Sequence, residues 1–392
     1  MTTVAKPFKI GDLLLPVLLP SALFATGEAS LLPILPTAAQ KLGADLPTAG
    51  LVAGLVMAGS LFFDVPAATF VNRVGERRAM IGASVLAAVA IASAAFATTL
   101  LTLSLAIFAA GSMAAIFGLA RHGHVAEHVP FDRRGRALGM VGGSFRAGAF
   151  LGPMIGALAV FTLGMTSVYY IGAAFCLLAT TALLFTKPDS HSRPSKADKI
   201  STFAVTKAEF EKLSTVGFAA AMLTAARSAR AVGLPLWGVY IGMHEGLISL
   251  FIGIAAALDL ALFYVSGSVI DKFGRRFAAV PSLLGMAAGM LLLIFAHNST
   301  AFLLVAIFMS LANALGSGLV LTIGADLAPA TGKNEFLAGY RMLLDVGTAG
   351  APLAMAAITA LAGLPAAFVF IAATSVLGAG IINKWLPRFN IR

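Results

Sequence analysis

The sequence predicts an all-α membrane protein, with twelve transmembrane helices in two pseudo-symmetric six-helix bundles and both termini in the cytoplasm. Composition, charge placement and an internal repeat each lead there. Of 392 residues, 59% are hydrophobic and 11% charged, whereas soluble domains carry about 25% charged residues. Apolar stretches recur at roughly 12–36, 49–71, 79–99, 101–126, 138–161, 165–186, 214–241, 247–270, 278–296, 301–325, 337–361 and 363–384. Each is long enough for a hydrocarbon core of about 30 Å.

The net charge of +10 is a matter of topology. Of the 27 Lys and Arg, 21 lie in the two tails and the even-numbered loops, and Lys41 alone lies in an odd-numbered loop. Arg121, Arg146, Arg227, Arg230 and Arg341 fall inside spans. Such a bias puts the cation-rich side in the cytoplasm, so the basic balance is no nucleic-acid footprint. Lone Cys176 sits mid-span and excludes an intramolecular disulfide framework.

The polar stretch 187–213 separates six spans from six, giving an N-terminal bundle over 1–186 and a C-terminal bundle over 214–392. The halves align without a gap at an offset of 199. Pro36 falls on Pro235, Gly54 on Gly253, Gly75 on Gly274, Arg77 on Arg276, Glu127 on Asp326, Pro130 on Pro329 and Pro153 on Pro352. Glycine and proline are costly inside helices, so their coincidence marks a true repeat. A parallel repeat of six-span units is a transporter plan, with substrate bound near the midplane between repeats.

Several stretches carry a family resemblance. GSVIDKFGRR, from Gly267 through Asp271 and Lys272 to Arg276, resembles motif A of the major facilitator superfamily. ATFVNRVGERR, with Asn72, Arg73 and Arg77, resembles a degenerate first-half copy, and PFDRRGRALG resembles the loop after span 4. GAFLGPMIGA, with Gly148, Gly152, Pro153 and Gly156, resembles motif C of the superfamily's proton-coupled exporters. One departure is Ile107, which stands where the family has an Arg four residues before the kept Gly111. The resemblance covers the whole chain. It implies a conformational gate of Asn72, Arg73, Arg77, Glu127, Asp271, Lys272, Arg276 and Asp326, in which Arg77 reaches Glu127 and Arg276 reaches Asp326. For Gly148, Gly152 and Gly156, whose four-residue spacing lines one face of span 5, close helix packing and an exporter-specific role both stand.

His124, Glu127 and His128 match the H-x-x-E-H spacing of some zinc peptidases. The repeat already accounts for Glu127, and Asp326 has no histidines beside it, so no metal is expected. Nor is an enzyme, since no nucleophile, base and orienter come together. No cofactor is expected either.

Ionisable groups at membrane depth are costly and usually functional. The repeat sets Glu28 on Arg227 and Arg146 on Asp345. Opposite signs at equivalent positions suggest two ion pairs, Glu28 with Arg146 and Asp345 with Arg227. Arg341, one turn before Asp345, is a local alternative. Burial favours the neutral form of a carboxylate and a nearby Arg the charged form. A carboxylate whose Arg partner moves away therefore exchanges a proton, and Glu28 and Asp345 are the proton-coupling candidates. Arg121, Arg146, Arg227 and Arg230 are the candidates for the substrate path, because guanidinium suits carboxylate or phosphate. Asp64 and Asp259 are partners for these arginines or further transport groups.

Two functions remain open at this level. The resemblance implies a proton-coupled exporter of hydrophobic or amphiphilic compounds. The intramembrane arginines suit a transporter of organic anions or other polar metabolites. Either way the expected partners are a small-molecule substrate, protons and membrane lipids, and the protein is expected in the cell membrane as a monomer.

Overall fold

A computed structural model describes residues 10–130, 133–186, 202–329 and 331–389, and every regular element among them is helical. The first half runs through α1 (Leu19–Leu31), α2 (Leu35–Lys41), α3 (Leu46–Val74), α4 (Glu76–Ala94), α5 (Leu100–His128), α6 (Arg134–Leu163) and α7 (Ser167–Leu184). Short helices α8 (Thr202–Ala208) and α9 (Phe210–Lys212) lead into the second half. This comprises α10 (Phe218–Tyr240), α11 (Glu245–Phe273), α12 (Arg275–Leu293), α13 (Ser299–Leu315), α14 (Leu319–Leu327), α15 (Lys333–Ala362) and α16 (Leu364–Trp385). Among the described residues, eleven segments are long and apolar enough to cross a bilayer. The remaining expected span is α10, whose 23 residues include Arg227 and Arg230.

Local sequence explains the interruptions. Pro33 has no N–H for the carbonyl of Ala29, so the first span ends as α1 at Leu31 and resumes as α2 at Leu35. Gly75 and Gly274, partners in the repeat, both have φ of 90° between successive spans, a turn that a side chain would strain. Helix α5 opens with a capping box between Thr99 and Thr102. Asp45 accepts a bond from the Thr48 N–H at 3.0 Å at the start of α3. The bonds from Thr48 hold its exposed carboxyl below the usual range.

The chain forms two compact units. The first takes Met1–Leu31 with Ala58–Ser192, and the second takes Leu32–Met57 with Arg193–Arg392. In the first unit α1 packs on α6 and α7, and α4 on α5 and α7. A Cβ at Gly148 would lie 2.5 Å from the Ala22 carbonyl oxygen, and one at Gly152 would lie 2.6 Å from that of Thr26. The glycine face of α6 thus lets the α1 backbone come close, as small residues do between membrane helices. In the second unit α10 packs on α15 and α16, and α12 on α13 and α16. Segment Leu32–Met57 is tied in by Lys41 Nζ to Glu245 Oε1 at 3.0 Å. A Cβ at Gly54 would also lie 2.7 Å from Pro352 Cβ. Of the linker, 187–201 lies outside the described residues. Helix α8 packs on α15, where a Cβ on Gly339 would meet Thr206 Oγ1 at 2.7 Å.

Candidate functional site

In the first unit the candidate groups gather where α1 faces α5. Phe24 and Phe117 are buried and stacked, with centroids 4.2 Å apart and planes within 7°. Glu28 follows Phe24 by one turn and shares its face of α1; Arg121 stands in the same relation to Phe117 on α5. Spans one and four cross in opposite directions, so Glu28 and Arg121 lie on opposite sides of the stack, each displaced by about 6 Å. Arg121 is the cation whose field reaches Glu28, not the Arg146 that the repeat suggested. Arg121 also lies 5.5 Å from the Phe145 ring centroid on α6. Among the described residues Glu28 makes no hydrogen bond or ion pair, and neither does Asp64 on α3; both are half-buried. Arg146, on α6, is half-buried too.

In the second unit the charges are locked into a network. Arg230 on α10 donates from Nη1 and Nη2 to Asp259 Oδ2 on α11, at 3.0 and 2.9 Å. The other oxygen, Oδ1, accepts from Asn313 Nδ2 at 2.9 Å, and Arg230 Nη2 donates to Ser310 Oγ at 2.6 Å. The Arg230 and Asp259 side chains are only 12% and 13% exposed. A buried pair of this kind persists only when further hydrogen bonds satisfy it, and α13 supplies them. Ser310 and Asn313 were missed at the sequence level. The signal was two polar residues three apart on one face of an apolar span.

Arg227 donates from Nη2 to the Gly316 carbonyl, at the end of α13. Asp345 Oδ2 lies 3.7 Å from Arg341 Nε on the same helix, the local pairing that the spacing allowed. Those side chains are 30% and 49% exposed.

The expected gate is partly rearranged. Asp326 Oδ2 accepts from Arg275 Nε at 2.9 Å, while Arg276 Nε donates to Asn383 Oδ1 at 2.7 Å. The latch to Asp326 is therefore shifted by one residue from the one expected. Arg77, the repeat partner of Arg276, donates to the Leu183 and Leu184 carbonyls and to Thr186 Oγ1. Both arginines so tie the start of a third span to the end of a sixth. In the first half Glu76 stands where Arg275 stands in the second, and its side chain lies against Gly123. Asn72, Arg73 and Lys272 are exposed, and Glu127 is exposed at the end of α5. The Asp271 side chain lies outside the described residues. The His124 and His128 rings stack at 4.1 Å. No three metal-ligating side chains converge among the described residues.

A family model described as Major Facilitator Superfamily matches residues 17–244 and 216–390. The chain is 25% identical over 382 residues to the multidrug resistance protein MdtG of Proteus mirabilis (strain HI4320), covering 93% of this chain and 92% of that one. Among solved structures it resembles a POT family transporter in complex with a thioalcohol-conjugated peptide, with a TM-score of 0.77 and 14% identity. That match covers 97% of this chain and 96% of the other. It also resembles the xylose transporter XylE from E. coli, in a partially occluded inward-open conformation, with a TM-score of 0.75 and 14% identity. There the coverage is 96% and 99%.

Proposed function

The chain belongs to the Major Facilitator Superfamily, and from that premise we propose that it exports hydrophobic or amphiphilic small molecules in exchange for protons. Glu28 is the exchanging carboxylate. The observation that carries this reading is the contrast between Glu28 and the acids inside the second unit's spans. Asp259 is fully engaged by Arg230 and Asn313, and Asp345 lies beside Arg341. Glu28 makes no such bond, on a helix face it shares with aromatic Phe24. A membrane carboxylate without a bonded counter-ion is free to trade its proton for a cationic or amphiphilic substrate.

Alternating access supplies the cycle. The site opens to one side, where Glu28 gives up its proton as substrate binds, and then to the other, where a proton returns and substrate leaves. The gate groups at the helix ends, Arg275 with Asp326 above all, hold one state closed. The likeness to MdtG supports multidrug-type efflux. The engaged arginines weigh against an organic-anion site: Arg230 is neutralised by Asp259, and Arg227 serves a helix-end carbonyl.

The test is proton release by purified protein in weakly buffered detergent, on adding tetraphenylphosphonium and then benzoate. The cation should expel protons from the parent protein and not from Glu28→Gln of equal thermal stability. Binding of benzoate alone, without proton release, would establish the anion transporter instead.

A further inference from the structure

The tenth span differs from its repeat partner in a way that ion pairing does not explain. It is built in two pieces, α13 ending at Leu315 and α14 beginning at Leu319, with Gly318 in the left-handed region at φ 77°. The first-half counterpart, α5, is one unbroken helix of 29 residues. At the offset of 199, Phe117 stands in place of Gly316, Leu119 in place of Gly318 and Glu28 in place of Arg227.

The break has its own partner. The last carbonyls of a helix lack intrahelical donors and carry the negative end of its dipole. Arg227 brings a guanidinium to that end and bonds the Gly316 carbonyl. A Cβ on Gly316 would lie 2.7 Å from Arg227 Nη2 and 2.6 Å from Ser282 Oγ on α12. A side chain at position 316 would therefore push the Arg227 guanidinium and the Ser282 hydroxyl aside. Beyond the break, α14 is held at two more points. Tyr340 Oη donates to the Val320 carbonyl at 2.8 Å, and Asp326 takes the bond from Arg275 at its far end. Nine residues pinned at the tip and clamped at the root form a lever.

We propose that Arg227 is a positioning residue for transport: it clamps the hinge Gly316–Gly318 and sets the pose of α14, and with it the Arg275–Asp326 latch. It acts through the Gly316 carbonyl and not on the substrate. The proposal rests on the chain being a transporter but on neither proton coupling nor the substrate class. The repeat explains why only the second half has the device. Glu28 has no guanidinium to bring to a helix end, and Phe117 and Leu119 stand where the hinge glycines would be.

The test needs no substrate. In a Cys176→Ala background, spin labels at Ala325→Cys on α14 and, separately, at Leu304→Cys on α13 report local mobility. Arg227→Ala and Gly316→Ala, the second of which displaces the guanidinium without removing its charge, should both shift the α14 label toward the mobile component. The α13 label should stay unchanged. Arg227→Lys, which keeps one donor, should restore most of the immobilised signal. If Arg227→Ala does not fold, Gly316→Ala and Arg227→Lys decide. Unchanged spectra at Ala325→Cys, or equal loosening of both labels, would overturn the proposal, and neither result would bear on Glu28.

Discussion

Helix α5 and the α13–α14 pair occupy the same place in the repeat, yet one is continuous and the other broken. The first and seventh spans show the reverse: α1 gives way to α2 at Pro33, while α10 runs through Pro235 without interruption. Chemistry parts the halves in the same way. Arg230, Asp259 and Ser310 form a network in the second unit, where Leu31, Ser60 and Gly111 stand in the first. There, Ser60 Oγ merely donates to the Gly111 carbonyl at 2.8 Å. One backbone plan thus carries two solutions. The second unit fixes its helices by charge, and the first by aromatic stacking and glycine contact, which leaves Glu28 and Asp64 without a hydrogen bond or ion pair among the described residues.

The largest effect is expected at Asp259. Replacing it by Ala strands Arg230 in a site where both side chains are nearly buried, and should cost about 3–5 kcal/mol in thermal unfolding. The double change Arg230→Leu with Asp259→Ser, the first half's own residues, should restore most of that stability. A double variant as unstable as the single one would show that the network does more than neutralise itself.

In the first unit the equivalent stress is steric. Gly152→Val would push a side chain into the α1 backbone, where a Cβ already stands 2.6 Å from the Thr26 oxygen. Overpacking of this kind costs about 1–3 kcal/mol, and Ala351→Val, its repeat counterpart, serves as the comparison. Arg341→Ala should change stability by no more than about 1 kcal/mol, because that pair is half-exposed and loosely spaced.

The smallest effect concerns pH. Asp45 has a lowered folded pKa through its Thr48 bonds. Its contribution is present above the usual carboxylate range and is lost as pH falls through the folded value. Asp45→Asn should flatten that acid limb of a melting-temperature profile slightly, and full exposure keeps the change small.

Much of the fold was legible because hydropathy and the repeat are carried by many residues at once. The pairing of charges was not, because partner choice depends on rotation about each helix axis. Arg227 and Arg230 are three residues apart, yet one reaches a helix-end carbonyl and the other Asp259. The repeat pointed Glu28 toward Arg146, while the field it feels comes from Arg121 across the Phe24–Phe117 stack. The latch slipped from Arg276 to its neighbour Arg275 for the same reason. The Gly316–Ser317–Gly318 run was readable as a break but sits within an otherwise unremarkable apolar span. Leu32–Met57 joining the second unit has no signature in composition; it rests on Lys41 meeting Glu245 and on Gly54 meeting Pro352.

The division of labour between the units is tested most directly by measuring tetraphenylphosphonium-induced proton release from two folded variants side by side. Arg230→Leu with Asp259→Ser should still release protons on binding the cation, while Glu28→Gln should release none. Release that survives in Glu28→Gln and vanishes in the double variant would contradict it, placing the coupling chemistry in the second unit.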